Sequence, residues 1–88
     1  TQLSRRRKVE LLREGLTRIP VDDQIALELA YVEGMSTKEI ADVLEIDENT
    51  VRSRLSRARD RLRDTLADLG SPAEVHAAES QLFPAITR

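Results

Sequence analysis

The stretch that decides the fold is residues 36–66, which read STKEIADVLEIDENTVRSRLSRARDRLRDTL. Ser36 is followed three residues later by a glutamate, a capping box that predicts a short helix over about residues 37–44. Asp47 supplies a second N-cap and predicts a long helix that runs from residue 48 to about residue 69. A short helix, a tight turn and a longer helix together make a helix-turn-helix.

The spacing of apolar residues in this stretch predicts its core. Along the long helix they recur at intervals of three or four positions, which places them on one face of an α-helix. The small Ala41 in the short helix lets the two helices cross closely. We therefore predict that the helices are held together by Ile40, Ala41, Leu44, Ile46, Val51, Leu55, Ala58 and Leu62.

The opposite face of the long helix is polar and cationic. A projection at about 100° per residue places five side chains there: Asn49, Arg52, Ser53, Ser56 and Arg57. The second helix of a helix-turn-helix enters the major groove of DNA, where arginine contacts guanine O6 and N7 together and serine permits close approach. These five residues are the predicted base-reading set.

A second group is predicted to contact DNA phosphates. The N-terminus of the short helix offers free backbone N–H groups, which hold phosphates, and arginines flank the apolar stripe of the long helix. The group consists of Ser36, Thr37, Lys38, Thr50, Arg59, Arg61 and Arg63. For Ser36, a purely capping role is the alternative. Arg54 lies near the core boundary, and we expect it to form an ion pair with an acidic residue of the second or third helix.

The remaining segments predict three further helices. Residues 5–18 predict an amphipathic first helix, and residues 22–32 predict a second helix that is apolar on most sides. Residues 72–83 predict a short tail helix that either docks on the bundle or frays. The apolar positions expected to pack are Val9, Leu12, Leu16 and Ile19 in the first helix and Val75, Ala78, Leu82 and Phe83 in the tail. The predicted fold class is all-α, with a bundle of about four helices in residues 1–70 and a tail in residues 71–88.

Composition limits the classes of function. The chain has 88 residues, with 14 basic and 16 acidic side chains and a net charge of −2, and this length suits one small domain. It has no cysteine and one histidine, His76, which excludes disulfides, thiolate zinc sites, cysteine nucleophiles and histidine-based metal clusters. No apolar run approaches the ~20 residues of a membrane span. We predict a cytoplasmic protein with no catalytic activity, cofactor or metal and, because the chain starts at Thr1 without a methionine, a fragment of a longer protein.

The charges are segregated along the chain. Residues 22–48 carry nine acidic side chains against Lys38 alone, and residues 52–63 carry six arginines against Asp60 alone. Arginine is a planar, bidentate ligand for guanine and phosphate, whereas lysine acts as a point charge. A solvated helix face with internal ion pairs is the alternative, but the one-sided charge of residues 52–63 favours nucleic acid.

Three segments closely resemble region four of bacterial sigma factors, above all those of the extracytoplasmic-function group. They are YVEGMS at residues 31–36, EIA at residues 39–41 and TVRSRLSRAR at residues 50–59. The Ile19-Pro20 pair also fits the proline that separates the first two helices in that family. The resemblance covers about residues 5–66.

The resemblance implies a winged-helix-like four-helix domain that reads the −35 promoter element for RNA polymerase in transcription initiation. It also implies docking on the flap of the polymerase β subunit and, in many members, an anti-sigma protein that hides the domain. By position, the base-reading residues of the family fall on Arg52, Ser53, Ser56 and Arg57. The preceding domain of the family, which reads the −10 element, has no counterpart in this chain, and Glu45 stands where a glycine is common in the turn.

Two other interpretations stay open at this point. The helix-turn-helix of response-regulator and quorum-sensing proteins shares the Glu-Ile-Ala and Thr-Val patterns, but it more often has Lys-x-His in the reading helix, where this chain has Arg52-Ser53-Arg54. The other is a helical protein-interaction module whose arginines bind an acidic partner. The apolar helix predicted over residues 22–32 supports some contact with a protein.

Overall fold

The computed structural model of the chain describes residues 5–82, which contain five α-helices and no strand. The helices are α1 (Arg5–Arg18), α2 (Val21–Leu27), α3 (Thr37–Leu44), α4 (Glu48–Leu69) and α5 (Pro72–Leu82), and a π-helical turn (Glu28–Val32) extends α2. The all-α prediction and the helix-turn-helix, formed by α3 and α4, are confirmed. None of the helices in this part of the chain has the length and apolar character needed to cross a membrane.

Helix α4 is the centre of the bundle, because it packs against each of the other four helices. Its apolar stripe is buried at Val51, Leu55, Ala58, Leu62 and Leu66. The same core contains Leu11 and Leu12 from α1, Ala26 and Leu27 from α2, Ile40 and Ala41 from α3, and Val75 and Ala78 from α5. Two members of the predicted helix-turn-helix core are only half-buried against it: Leu44 and Ile46. This shared core fixes which side of α4 faces the solvent.

Helix α1 crosses α4 at a glycine. A Cβ atom on Gly15 would lie 2.9 Å from both Leu62 Cδ1 and Leu66 Cδ2, so any side chain here would force both leucines to move. Leu11, one helical turn earlier, is buried on the same side of α1. Val9, in contrast, is 38% exposed, so its predicted place in the core is wrong. The crossing at Gly15 turns the Leu11 side of α1 toward α4 and leaves Val9 at the edge.

The second predicted helix is not a uniform α-helix. After α2 the chain continues in a wider π-helical turn, in which the Glu33 N–H donates to the Glu28 carbonyl at 2.9 Å. Gly34 then adopts a φ of +70°, a left-handed conformation that glycine takes without steric cost. The Met35 N–H closes this end by donating to the Leu29 carbonyl at 3.0 Å. Apolar composition predicted a helix here but not the change of winding, because the hydrogen-bond offset that defines a π-turn leaves no distinct pattern in five residues.

Helix α5 docks on the bundle. Val75 and Ala78 are buried, and α5 packs against α1 and α4. An ion pair of 3.0 Å between Arg7 Nε and Glu74 Oε2 joins α5 to α1. Two predicted tail contacts lie outside what the structure describes: Phe83 and the side chain of Leu82. The described part of the tail is therefore an integral layer of the bundle.

Two capping boxes make the stability of the fold depend on pH. Glu39 accepts a hydrogen bond from the Ser36 backbone N–H at 3.0 Å, and Glu74 accepts one from the Ser71 backbone N–H at 2.9 Å. These bonds favour the charged carboxylate and hold the pKa of Glu39 and of Glu74 below the ordinary value of 4.5, with the Arg7 hydrogen bond as a further cause at Glu74. Because each pKa is lower in the folded than in the unfolded chain, both groups contribute stability above pH ~4.5 that is lost as the pH falls through the lowered values.

We expect the thermal unfolding midpoint of the chain to fall as the pH drops below ~4.5, and Glu39→Gln to weaken this dependence. Glutamine still accepts the hydrogen bond from the Ser36 N–H but carries no charge to titrate. Thermal melts followed by circular dichroism across this pH range would measure the effect. Asp42→Asn removes an exposed acid whose carboxylate makes no hydrogen bond within residues 5–82 and controls for net charge. Identical acid dependence in Glu39→Gln and the unsubstituted chain would contradict the expectation.

Candidate nucleic-acid interface

The turn between α3 and α4 sets the angle at which the two helices meet. Glu45 ends α3 in the left-handed conformation, with φ 56° and ψ 45°, and the Ile46 N–H donates to the Ala41 carbonyl at 3.1 Å. Asp47 then caps α4, since its carboxylate accepts from the Asn49 N–H at 2.9 Å. A non-glycine residue in this conformation costs about 1–2 kcal/mol. The turn thus bears a glutamate at the position where the resembling family often has glycine.

The side of α4 that faces away from the core is an open polar ridge, made of the five predicted base-reading side chains. All five are exposed to solvent: Asn49, Arg52, Ser53, Ser56 and Arg57. On the opposite side of the same turns, Val51, Leu55 and Ala58 are buried. Helix α5 leaves the ridge uncovered. The structure therefore brings the whole predicted set together on one accessible surface.

The two arginines of the ridge differ in their surroundings. Arg52 donates from Nη1 to Asn49 Oδ1 at 2.9 Å and from Nη2 to Glu48 Oε1 at 3.2 Å. The same Glu48 oxygen accepts from Thr37 Oγ1 at 3.1 Å. The Arg57 side chain has no hydrogen bond or ion pair with any residue in the range 5–82. One guanidinium is thus held by the protein and the other is free to meet a ligand.

The N-terminal end of α3 divides the predicted phosphate ligands into engaged and free groups. The Ser36 hydroxyl accepts from the Glu39 N–H at 3.1 Å, so it completes the predicted capping box. The Thr37 hydroxyl is engaged with α4. Lys38 and Thr50 are exposed, and neither makes a side-chain hydrogen bond within the described residues. Lys38 is therefore the cation at this end that is available to a phosphate.

The three predicted phosphate ligands in the second half of α4 bind other parts of the chain. The contacts are Arg59 Nη1 to Tyr31 Oη at 2.7 Å, Arg61 Nη1 to Asp23 Oδ2 at 2.6 Å and Arg63 Nε to Glu79 Oε1 at 2.9 Å. These contacts tie α4 to the π-helical turn, to α2 and to α5 respectively. The structure thus gives the three arginines a packing role, and their contact with phosphate stays a prediction.

A buried acid that sequence reasoning missed explains one wrong prediction. Asp23 is only 5% exposed and needs the Arg61 guanidinium, because a buried carboxylate without a partner is strongly destabilising. The predicted ion pair of Arg54 is wrong: it forms none within residues 5–82. The buried acid of α2, Asp23, lies instead beside Arg61, which is seven residues and ~10 Å further along α4 than Arg54. A signal was present, since Asp23 precedes the buried Ala26 and Leu27 by three and four residues and shares their face.

The fold and the ridge define a helix-turn-helix domain of the DNA-binding class. Residues 9–62 match the family model described as "Sigma-70, region 4". This match covers more than half of the chain, and the chain belongs to the sigma-70 region 4 family. Membership in this family decides against the response-regulator and quorum-sensing type of helix-turn-helix. Within the described part of the chain, no group of three or more acidic or histidine side chains is placed to hold a metal ion.

One curated relative extends the comparison. The ECF RNA polymerase sigma factor SigE of Mycolicibacterium smegmatis is 41% identical to this chain over 56 residues, which make up 64% of this chain and 22% of that protein. The chain therefore spans about a fifth of the length of this relative. No solved structure gives a significant match.

Proposed function

We propose that this chain is the domain of a sigma factor that binds the −35 promoter element and so directs RNA polymerase to promoters. The observation that carries the proposal is the division of α4 into a buried apolar stripe and a solvent-exposed polar ridge. A helix held rigidly by one face, with guanidinium and hydroxyl groups on the other, fits the major groove of B-DNA. The family match and the relative named as a sigma factor support the same function. Such a domain acts by binding and uses no catalytic group.

Each group on this surface has a distinct part in the proposal. Arg52 and Arg57 contact guanine O6 and N7, because a guanidinium presents two parallel donors to these acceptors. Ser53 and Ser56 keep the ridge low enough for the helix to approach the bases. Lys38 and the free backbone N–H groups at the start of α3 bind a phosphate, which fixes the register of the domain on the duplex.

An apolar groove between α1 and the segment formed by α2 and its π-helical extension is the surface that we assign to RNA polymerase. It has a volume of about 380 Å³, and its apolar lining comes from Val9, Leu12, Leu16 and Val32. Val32 is 65% exposed, an apolar surface that a protein partner would cover. We propose that the flap of the polymerase β subunit docks here. An anti-sigma protein that silences the domain would have to cover this groove or the ridge.

Binding to a −35 duplex is expected to weaken steeply with salt. In a log–log plot the slope is about −0.9 for each phosphate that the protein neutralises, and we expect micromolar or weaker affinity for the isolated chain. Lys38→Ala should make this negative slope shallower by about one unit, because one phosphate contact is lost. Arg13→Ala, an exposed cation on the α1 side of the groove, is the matched control and should leave the slope unchanged. Fluorescence anisotropy over a salt series measures these slopes.

The competing function is that of a helical module that binds only proteins. The exposed apolar groove favours some protein contact, but it fits polymerase docking equally well. The salt series separates the two functions. If no −35-like duplex binds even at low salt, the DNA-binding proposal is wrong and the protein-only function is favoured.

A further inference from the structure

Glu48 occupies a position where DNA binding by itself disfavours an acid. It lies in the first turn of α4, next to the ridge that faces the duplex, where a carboxylate repels phosphates. An acid in the first turn stabilises a helix by its interaction with the helix dipole. That effect alone would explain Glu48 if its side chain merely pointed into solvent. It does not: Glu48 is half-buried, and its Oε1 accepts two hydrogen bonds from other side chains.

The two hydrogen bonds link the start of α3 to a base-reading group of α4. Thr37 Oγ1 reaches Glu48 Oε1 at 3.1 Å, and Arg52 Nη2 reaches the same oxygen at 3.2 Å. Asn49 Oδ1 holds the other terminal nitrogen of Arg52 at 2.9 Å. Both ends of the guanidinium fork are therefore fixed, and Thr37 fixes the carboxylate that holds one of them.

We propose that Glu48 is a positioning residue for promoter recognition: together with Thr37 and Asn49 it orients Arg52 for its base pair, without touching a base itself. The inference rests on the proposed base-reading function of α4. It also gives Asn49 a role through Arg52, in place of the direct base contact that its exposed position predicted.

Restraint of Arg52 sharpens selectivity more than affinity. A free arginine side chain loses rotamer freedom when it binds, and its fork can meet a phosphate as readily as a guanine. A guanidinium held at both ends loses less freedom on binding and keeps its remaining N–H groups in a fixed orientation. Arg57, which lacks such partners among residues 5–82, serves as an internal comparison because Glu48 should not influence its selectivity.

The experiment compares four variants of the 88-residue chain on a −35 duplex and on duplexes with one base pair changed at each position. Arg52→Ala identifies the base pair that Arg52 reads. Glu48→Ala removes the positioning group, and Glu48→Gln keeps an oxygen that accepts both hydrogen bonds. Asp42→Asn removes an equal charge from the exposed surface of α3 and is the matched control. Circular dichroism verifies that each variant is folded.

We expect Glu48→Ala to reduce discrimination at the Arg52 base pair about three- to tenfold, with overall affinity unchanged or higher because a carboxylate has been removed. Discrimination at the Arg57 base pair should stay the same. Glu48→Gln should restore most of the lost discrimination, and Asp42→Asn should change none. In an Arg52→Ala background, Glu48→Ala should have no further effect. Loss of discrimination equally at all positions, or full discrimination in Glu48→Ala, would overturn the proposal.

A second measurement does not require DNA. Nitrogen-15 relaxation of the Arg52 Nε group should show restricted motion in the unsubstituted chain and in Glu48→Gln, and free motion in Glu48→Ala. Equal mobility of Arg52 in all three proteins would refute the positioning role. Failure of the unsubstituted chain to bind any duplex would contradict the proposed function instead, and the relaxation data would still decide whether Glu48 restrains Arg52.

Discussion

Replacing Leu55 with alanine is expected to lower the free energy of unfolding by about 2–5 kcal/mol. Leu55 is 5% exposed and belongs to the core through which α4 packs on the other helices. Removal of its side chain leaves a cavity under the ridge, and the rigid surroundings close it only in part. Small domains have a total stability of about 5–15 kcal/mol, so the loss is a large part of the whole.

Urea denaturation followed by circular dichroism measures this loss. The matched control is Val43→Ala, which shortens an apolar side chain on α3 that is 56% exposed. Val43 lies on the solvent-facing side of α3, outside the core. Val43→Ala should therefore change the free energy of unfolding by no more than about 0.5 kcal/mol. If Leu55→Ala leaves the denaturation midpoint unchanged, then Leu55 is not part of the core and the assignment of the two faces of α4 is wrong.

Replacing Arg57 with alanine is expected to weaken binding to the −35 duplex by about 1–3 kcal/mol and to relax the preference at one base pair. Arg57 is exposed and has no partner within residues 5–82. Its removal therefore costs the fold nothing that the structure shows, and the loss is confined to DNA. Arg52→Ala should have an effect of similar size at a different base pair.

The control for both arginines is Arg63→Ala, on the same helix but away from the ridge. Arg63 pairs with Glu79, which is 7% exposed, so its loss should chiefly loosen α5 and leave base preference intact. Anisotropy measurements on duplexes with single base-pair changes separate the two effects. If Arg63→Ala changed the base preference and Arg57→Ala did not, the assignment of the base-reading surface to the ridge would be wrong.

Features that depend on neighbours within one helical turn could be predicted from the sequence. The capping boxes at Ser36 and Ser71 and the cap at Asp47 involve partners two or three residues away. The buried stripe of α4 follows from the same local periodicity, and the ridge is its geometric complement. For this reason the helix-turn-helix and the exposure of the five ridge residues could be predicted, while their contact with bases stays a prediction.

Features that depend on where distant elements meet were not predicted. The sequence placed Arg59, Arg61 and Arg63 on the outside of α4, but not beside Tyr31, Asp23 and Glu79. The apolar spacing of α1 included Val9 and did not single out the buried Leu11, because the crossing at Gly15 is a property of two helices together.

The sequence by itself determined the helix-turn-helix, a buried stripe and an open cationic ridge, because helix periodicity and capping act over a few residues. Only the tertiary structure decided which arginines remain available to DNA. A guanidinium binds whichever carboxylate, hydroxyl or phosphate lies closest, and the packing angles of α2 and α5 against α4 bring Asp23 and Glu79 to Arg61 and Arg63 while leaving Arg57 exposed.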